Sequence, residues 1–167
     1  LRVCVYKPLQ TGSNTLEQAD DLLEIQRLIH RTVDTFNTYN FTEPATPLVV
    51  DTQKKINLDA IKDTVKQLQS DYDVVLVEGA GGLRVPVTPN HEIIDLIQAL
   101  NLPTILVTRP NLGTINHTLL SIEALENRQI ELACLVASGY PEETKETAIK
   151  TLPDVFKKKI NVPVLYL

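Results

Sequence analysis

The sequence has 167 residues, enough for one domain of ordinary size with a continuous core. With 43% hydrophobic and 22% charged residues, its composition is that of a soluble globular chain, which excludes disorder as the starting point. A formal charge of −5 argues against a nucleic-acid partner, which would need a concentrated basic face; only Lys157, Lys158 and Lys159 cluster, and they read as the solvated end of a helix.

The first apolar run, Val3 to Tyr6, reads as a strand. The chain lacks an initiating methionine and a signal peptide and starts abruptly inside that run, so residues are expected to be missing before Leu1. Leu16, Ala19, Leu22, Leu23 and Gln26 form a helical stripe. Phe41 to Pro47, with Pro44 and Pro47, reads as a stiff loop. A second stripe follows at Leu58, Ile61, Val65 and Leu68, and Val74 to Val77 is the next strand. Ile93, Ile94, Leu96 and Ile97 mark a short apolar helix, then Thr104 to Val107 a strand. A helix opens near Thr114 and carries Leu119, Ile122 and Leu125; Leu132 to Ala137 is again a strand. A fifth helix is expected between Glu142 and Lys159, interrupted or restarted at Pro153, before a last strand from Val162 to Leu167.

Strands with little polar alternation, separated by helices, predict an α/β fold: a doubly wound, mainly parallel sheet flanked by helices, in a single domain over residues 1–167. Cys4 and Cys134 lie inside strands and read as buried free thiols; two cysteines make neither a disulfide framework nor a zinc cluster, which fits a reducing cytoplasm. No apolar run approaches the roughly 20 residues of a membrane-spanning helix, so no membrane partner is expected.

Ligands of such sheets sit beyond the carboxyl ends of the strands, and four of those ends are unusual. Lys7 and Pro8, with Thr11 and Gly12 after them, end the first strand: a fixed positive charge aimed into the crevice, or a surface lysine at a loop. Glu78 closes the run from Asp73 and is followed by Gly79, Ala80, Gly81 and Gly82. A carboxylate there suits magnesium, and the glycines let backbone N–H groups approach an anion, although such turns also occur without a ligand. Leu112, Gly113, Thr114, Ile115, Asn116 and His117 lead from a strand into a helix, with Thr114 as the expected N-cap and free N–H groups for an anion. His117 reads as a base or as a structural or exposed residue; His30 and His91 are far away in sequence, and no metal is assigned to histidine. Asp20 and Asp21 open a helix, either as partners of its dipole or with Asp21 as a second magnesium carboxylate.

Taken in order, these segments resemble the dethiobiotin synthetase family. Tyr6, Lys7 and Pro8 with Thr11, Gly12 and Ser13, then Asp21, then Tyr39 through Pro47, are similar to its substrate-side loops. Val77 to Gly82 is similar to its most distinctive segment, and Ile94 to Leu96, Leu102 to Val107 and Leu112 to His117 continue in family order. The resemblance spans nearly the whole chain. It implies a P-loop NTPase-like fold and an ATP- and magnesium-dependent, cytoplasmic, homodimeric ligase. Its substrates would be diaminopelargonate (7,8-diaminononanoate), CO2 and ATP. It further implies Lys7 as catalytic, and Thr11, Gly81, Gly82, Leu112, Gly113, Thr114 and Asn116 as substrate-binding, the stretch from Leu112 to Asn116 reaching the partner subunit's substrate. Asp21, Glu78, Gly79, Ala80, Gly81 and Ser138 would face the nucleotide, and Asp21 and Glu78 would hold Mg2+.

Three departures accompany the resemblance. The family's opening strand and glycine-rich P-loop are not found before Leu1, and its nucleotide-contacting tail is not found after Leu167. Ser138 stands where the family has an adenine-recognising asparagine, one hydroxyl in place of an amide that both donates and accepts. The two alternatives are another P-loop α/β enzyme (a cobyrinate amidase-type or partition-type ATPase) and a non-catalytic dimeric binding module.

Overall fold

The computed structural model describes residues 1–29, 33–141 and 146–167, with the backbone alone at 148. Two compact units divide it, Leu1–Leu100 and Asn101–Leu167.

The first unit is built on a three-stranded parallel sheet in the order β2-β1-β3, with β1 Val3–Gln10, β2 Asp34–Asn40 and β3 Val74–Val77. As the central strand, β1 is buried from Cys4 onward. It therefore runs on through Lys7 and Pro8 to Gln10, well past the apolar stretch that marks it in the sequence. Pro8 cannot donate to a ladder. The pairing passes from Lys7 opposite Asn37 to Leu9 opposite Tyr39, and the Asn37 side chain donates to the Lys7 carbonyl at 2.7 Å.

The strand β2 is absent from the sequence reading because only Phe36 and Tyr39 supply large apolar surface. Its β-branched and aromatic residues (Thr35, Phe36, Thr38, Tyr39) were the available signal. The helix α1, Asp20–Leu28, starts later than the stripe suggested: Leu16 lies outside it and is exposed, as is Leu23. Its inward face is Ala19, Leu22 and Ile25, packed on Val5. After a single turn α2, Pro47–Val50, comes α3, Leu58–Asp71, which buries Ile61, Val65 and Leu68 as the periodicity predicts. Asn57 caps α3, accepting from the N–H groups of Asp59 and Ala60. A short antiparallel hairpin, β4 Pro86–Thr88 and β5 His91–Glu92, leads into α4, Ile93–Leu100.

The second unit has its own parallel sheet, in the order β6-β7-β8: β6 Thr104–Thr108, β7 Leu132–Ala137 and β8 Val164–Tyr166. The helix α5, Thr114–Asn127, connects β6 to β7; α6, Thr147–Lys150, and α7, Leu152–Lys159, precede β8. Pro153 sits in the first turn of α7, where a missing N–H costs nothing, so it restarts the helix as anticipated. Of the expected fifth helix, Glu142, Glu143, Thr144 and Lys145 lie outside the described residues, as does His30. Leu135, Leu152, Phe156 and Ile160 form the core, with Leu106, Ile115, Leu119 and Ile122 against it. The architecture is α/β, with mainly parallel sheets flanked by helices, as the sequence predicts.

Candidate functional site

Lys7 is a buried charge at the carboxyl half of β1, and a buried ammonium persists only when paired. Its Nζ lies 2.7 Å from Asp21 Oδ2 and 3.0 Å from Glu78 Oε1, and donates to the Gly79 carbonyl at 3.4 Å. All three donors are thus directed at oxygen. The reading of Lys7 as a surface lysine is set aside by its burial. Asp21 comes from the first turn of α1. Glu78 follows β3, its N–H bonded to the Tyr6 carbonyl at 2.9 Å, which extends the β1–β3 pairing by one residue.

Both carboxylates are about half exposed, and each gives one oxygen to Lys7. The cluster carries one net negative charge. Among the described residues, no group of three or more His, Cys, Asp or Glu converges into a complete metal shell. Two carboxylates with open faces are nevertheless what magnesium takes from protein when phosphate oxygens and water supply the rest. The donor set fits that ion.

The loop after β1 is fastened to the segment after β2. Gly12 N–H donates to the Glu43 carbonyl and Ser13 N–H to the Phe41 carbonyl, both at 3.1 Å, while Phe41 N–H returns to Gln10. Gly12 has φ +75, and a Cβ there would lie 3.2 Å from Pro44 Cβ. The half-buried Thr11 is thereby held beside the stretch from Tyr39 to Pro47, which the sequence singled out. After Glu78, the stretch from Gly79 to Gly82 leads into a turn that Val85 N–H closes on the Gly82 carbonyl; Ala80 is half-buried and Gly82 open.

Leu112, Gly113, Thr114, Asn116 and Ser138 belong to the second unit. The N-cap of α5 is Gly113, with φ +92, and not Thr114. Thr114 is the first helical residue and is buried, its hydroxyl 2.6 Å from that of Thr108, which also lies 2.9 Å from the Thr118 hydroxyl. The left-handed turn that only glycine enters freely sits one residue before the threonine, which frees that side chain to tie the helix to β6. Leu112, Asn116 and His117 are exposed. Ser138, also exposed, follows β7 and donates its N–H to Thr108.

Of the residues bracing the Lys7 cluster, sequence reasoning missed Asn37 and carried Ser13 and Asn40 only within the family-like segments. Asn37 braces the Lys7 carbonyl, and Asn40 and Ser13 hold the loop between Lys7 and Asp21. Burial pushes the Tyr6 phenol, next to Lys7, above its usual range; a 2.6 Å contact with the Thr38 hydroxyl acts in the opposite direction.

Residues 1–165 match the family described as AAA domain. Among curated proteins, the chain is 46% identical over 136 residues to the ATP-dependent dethiobiotin synthetase BioD of Sulfurovum sp. (strain NBC37-1), covering 77% of this chain and 64% of that protein. It is 36% identical to the protein of the same name from Thermodesulfovibrio yellowstonii, over 99% of this chain and 75% of the relative. With that of Halalkalibacterium halodurans it shares 38% identity, over 89% and 67%. The chain thus spans about two thirds of the length of the relatives it matches.

Proposed function

This chain belongs to the dethiobiotin synthetase family, and on that premise we propose that it carries the carboxylate-and-lysine half of a C–N bond-forming ligase of biotin biosynthesis. The observation that carries the reading is the convergence of Lys7, Asp21 and Glu78, which lie far apart in sequence and meet at the carboxyl ends of β1 and β3.

In the reaction proposed, one amine of diaminopelargonate adds CO2 and loses a proton to give a carbamate. The γ-phosphoryl of ATP passes to a carbamate oxygen, releasing ADP. The second amine then attacks the carbamate carbon; phosphate leaves and the cyclic urea of dethiobiotin closes. Negative charge gathers where carbamate and phosphoryl meet. Lys7, rigidly held and already pointed at oxygens, is placed to neutralise it. Asp21 and Glu78 would hold Mg2+, which when bound screens phosphate charge. Lys7 then has to release part of its hold on the two carboxylates as anionic substrate arrives, so the cluster serves as a preformed stand-in for the loaded site.

Thr11 would hydrogen-bond the carbamate or diamine, with Gly81 and Gly82 beside it. Gly79 and Ala80 would run along the phosphates, and Ser138 would stand at the base. Leu112, Gly113, Thr114 and Asn116 would take the substrate carboxylate of the partner subunit in a homodimer. The cytoplasm, where ATP is supplied, is the compartment proposed. Among the described residues, no helix is long and apolar enough to cross a membrane.

The test is dethiobiotin formation by the protein carrying this chain, from diaminopelargonate, bicarbonate and ATP, across a magnesium titration. Magnesium-dependent product is expected. Turnover of ATP without product from the diamine would remove the substrate assignment and favour an ATPase of the same fold.

A further inference from the structure

The loop that separates Lys7 from Asp21 is tied at one point to a strand that brings no charge to the site. Asn40, the last residue of β2, accepts from the Ser13 hydroxyl through Oδ1 at 2.7 Å. Its Nδ2 donates to the carbonyls of Thr15 at 3.0 Å and Leu16 at 3.1 Å. Carbonyls can only accept, so the amide orientation is fixed by its partners. Every donor of this amide is used, and all of them go to one loop.

The contacts continue from there into α1. Ser13, buried, also receives the Asp20 N–H at 3.4 Å. Ala19, the formal N-cap, offers no side-chain oxygen, so the Ser13 hydroxyl stands in for the missing cap. Asp20 in turn accepts from Asn14 through both backbone and side chain, at 3.1 and 2.6 Å. The next residue is Asp21, on Lys7 at 2.7 Å. A rigid path therefore runs from β2 through Ser13 to the start of α1 and its carboxylate.

We propose that Asn40 is a positioning residue: through Ser13 it sets where Asp21 stands relative to Lys7 and Glu78, and so how tightly the site holds its metal. This rests on the assignment of Asp21 and Glu78 as the magnesium carboxylates. Groups that orient metal ligands without touching the metal typically contribute tenfold or more to its affinity.

The test uses Asn40→Asp, which keeps the size and the acceptor but loses both donors, and Ser13→Ala, which removes the relay hydroxyl if the first variant folds poorly. Amide hydrogen exchange from Asn14 to Asp21 is measured beside the magnesium dependence of turnover and the thermal midpoint. Faster exchange in that segment is expected, with the magnesium activation constant raised roughly tenfold or more. Wild-type exchange in both variants overturns the proposal, as does faster exchange with an unchanged magnesium constant, which would make Asn40 a purely structural tie. Failure of the wild-type protein to make dethiobiotin would strike the functional reading instead; exchange at Asn14 to Asp21 then decides alone whether Asn40 holds the loop.

Discussion

A lysine inside a parallel sheet has no water to share its charge, so its neighbours define what it can do. Replacing Glu78 by Gln keeps the shape after β3 and removes the charge facing Lys7 and the proposed magnesium. Turnover should fall on the order of 10²-fold or more at limiting magnesium, with an unchanged circular dichroism spectrum. Wild-type rates in that variant would remove Glu78 from the site. Lys7→Ala leaves Asp21 and Glu78 face to face with no cation between them. Since Lys7 is assigned to charge that grows during transfer, kcat should drop more than diamine affinity does. The opposite split, measured by steady-state kinetics, would make it a substrate anchor. Gly81 has φ +78, and a Cβ there would lie 3.0 Å from Val85 Cγ2. Gly81→Ala should therefore cost about 1–3 kcal/mol in urea denaturation, as the strained backbone and the contact act together.

Single elements make narrower predictions. The helix α3 depends at its start on Asn57, whose side chain takes two otherwise unpaired N–H groups. Asn57→Ala should lower stability by about 1 kcal/mol without touching the Lys7 cluster. At the other end of α3, Tyr72 donates its hydroxyl to Asp34 at the start of β2, at 2.7 Å. That hydrogen bond, with lesser help from burial and the Asp34 charge, pushes the phenol up to about 12. A phenol raised in the folded state stabilises it below the unfolded pKa, about 10, and that contribution is lost as pH rises through the folded value. The tie between α3 and β2 should hold to about pH 10 and fail toward pH 12. Ultraviolet difference titration should show Tyr72 among the late-ionising tyrosines, with Tyr6 and Tyr166, and Asp34→Asn should bring one of them back toward the ordinary range.

At the scale of the whole molecule, the first unit holds the Lys7 cluster and the second holds the turn from Leu112 to Asn116. The proposed homodimer predicts that these serve sites shared between subunits. Two variants inactive alone, Lys7→Ala and Asn116→Asp, should then restore activity when unfolded and refolded together. In a random mixture half the dimers are mixed, and each has one intact site, so about a quarter of wild-type activity is expected. No recovery, with mixed dimers confirmed by mass, would place both residues in a site made by one subunit.

Much of this protein is determined by local sequence. Apolar runs mark β3, β6 and β7 because each packs one face inward, although alternate residues such as Val74, Leu76, Ile105 and Val107 stand exposed in the fold. The spacing in α3 marks its buried face for a similar reason. Lys7, Asp21 and Glu78 were each legible as charges at the ends of apolar elements, but only one by one. Their meeting belongs to the tertiary structure, since Glu78 comes 71 residues after Lys7 and reaches it only through the parallel pairing of β1 with β3. Beyond the weak signal of Thr35, Phe36, Thr38 and Tyr39, the strand β2 was hard to read for a related reason. Its polar residues are ordered by the β1 ladder and by side-chain bonds, from Asn37 to the β1 backbone and from Asn40 to the loop that follows β1, and such partners have no signature in the segment itself. Apolar burial is written in composition and period, whereas hydrogen-bonded placement is written in register, and register exists only once the chain has folded.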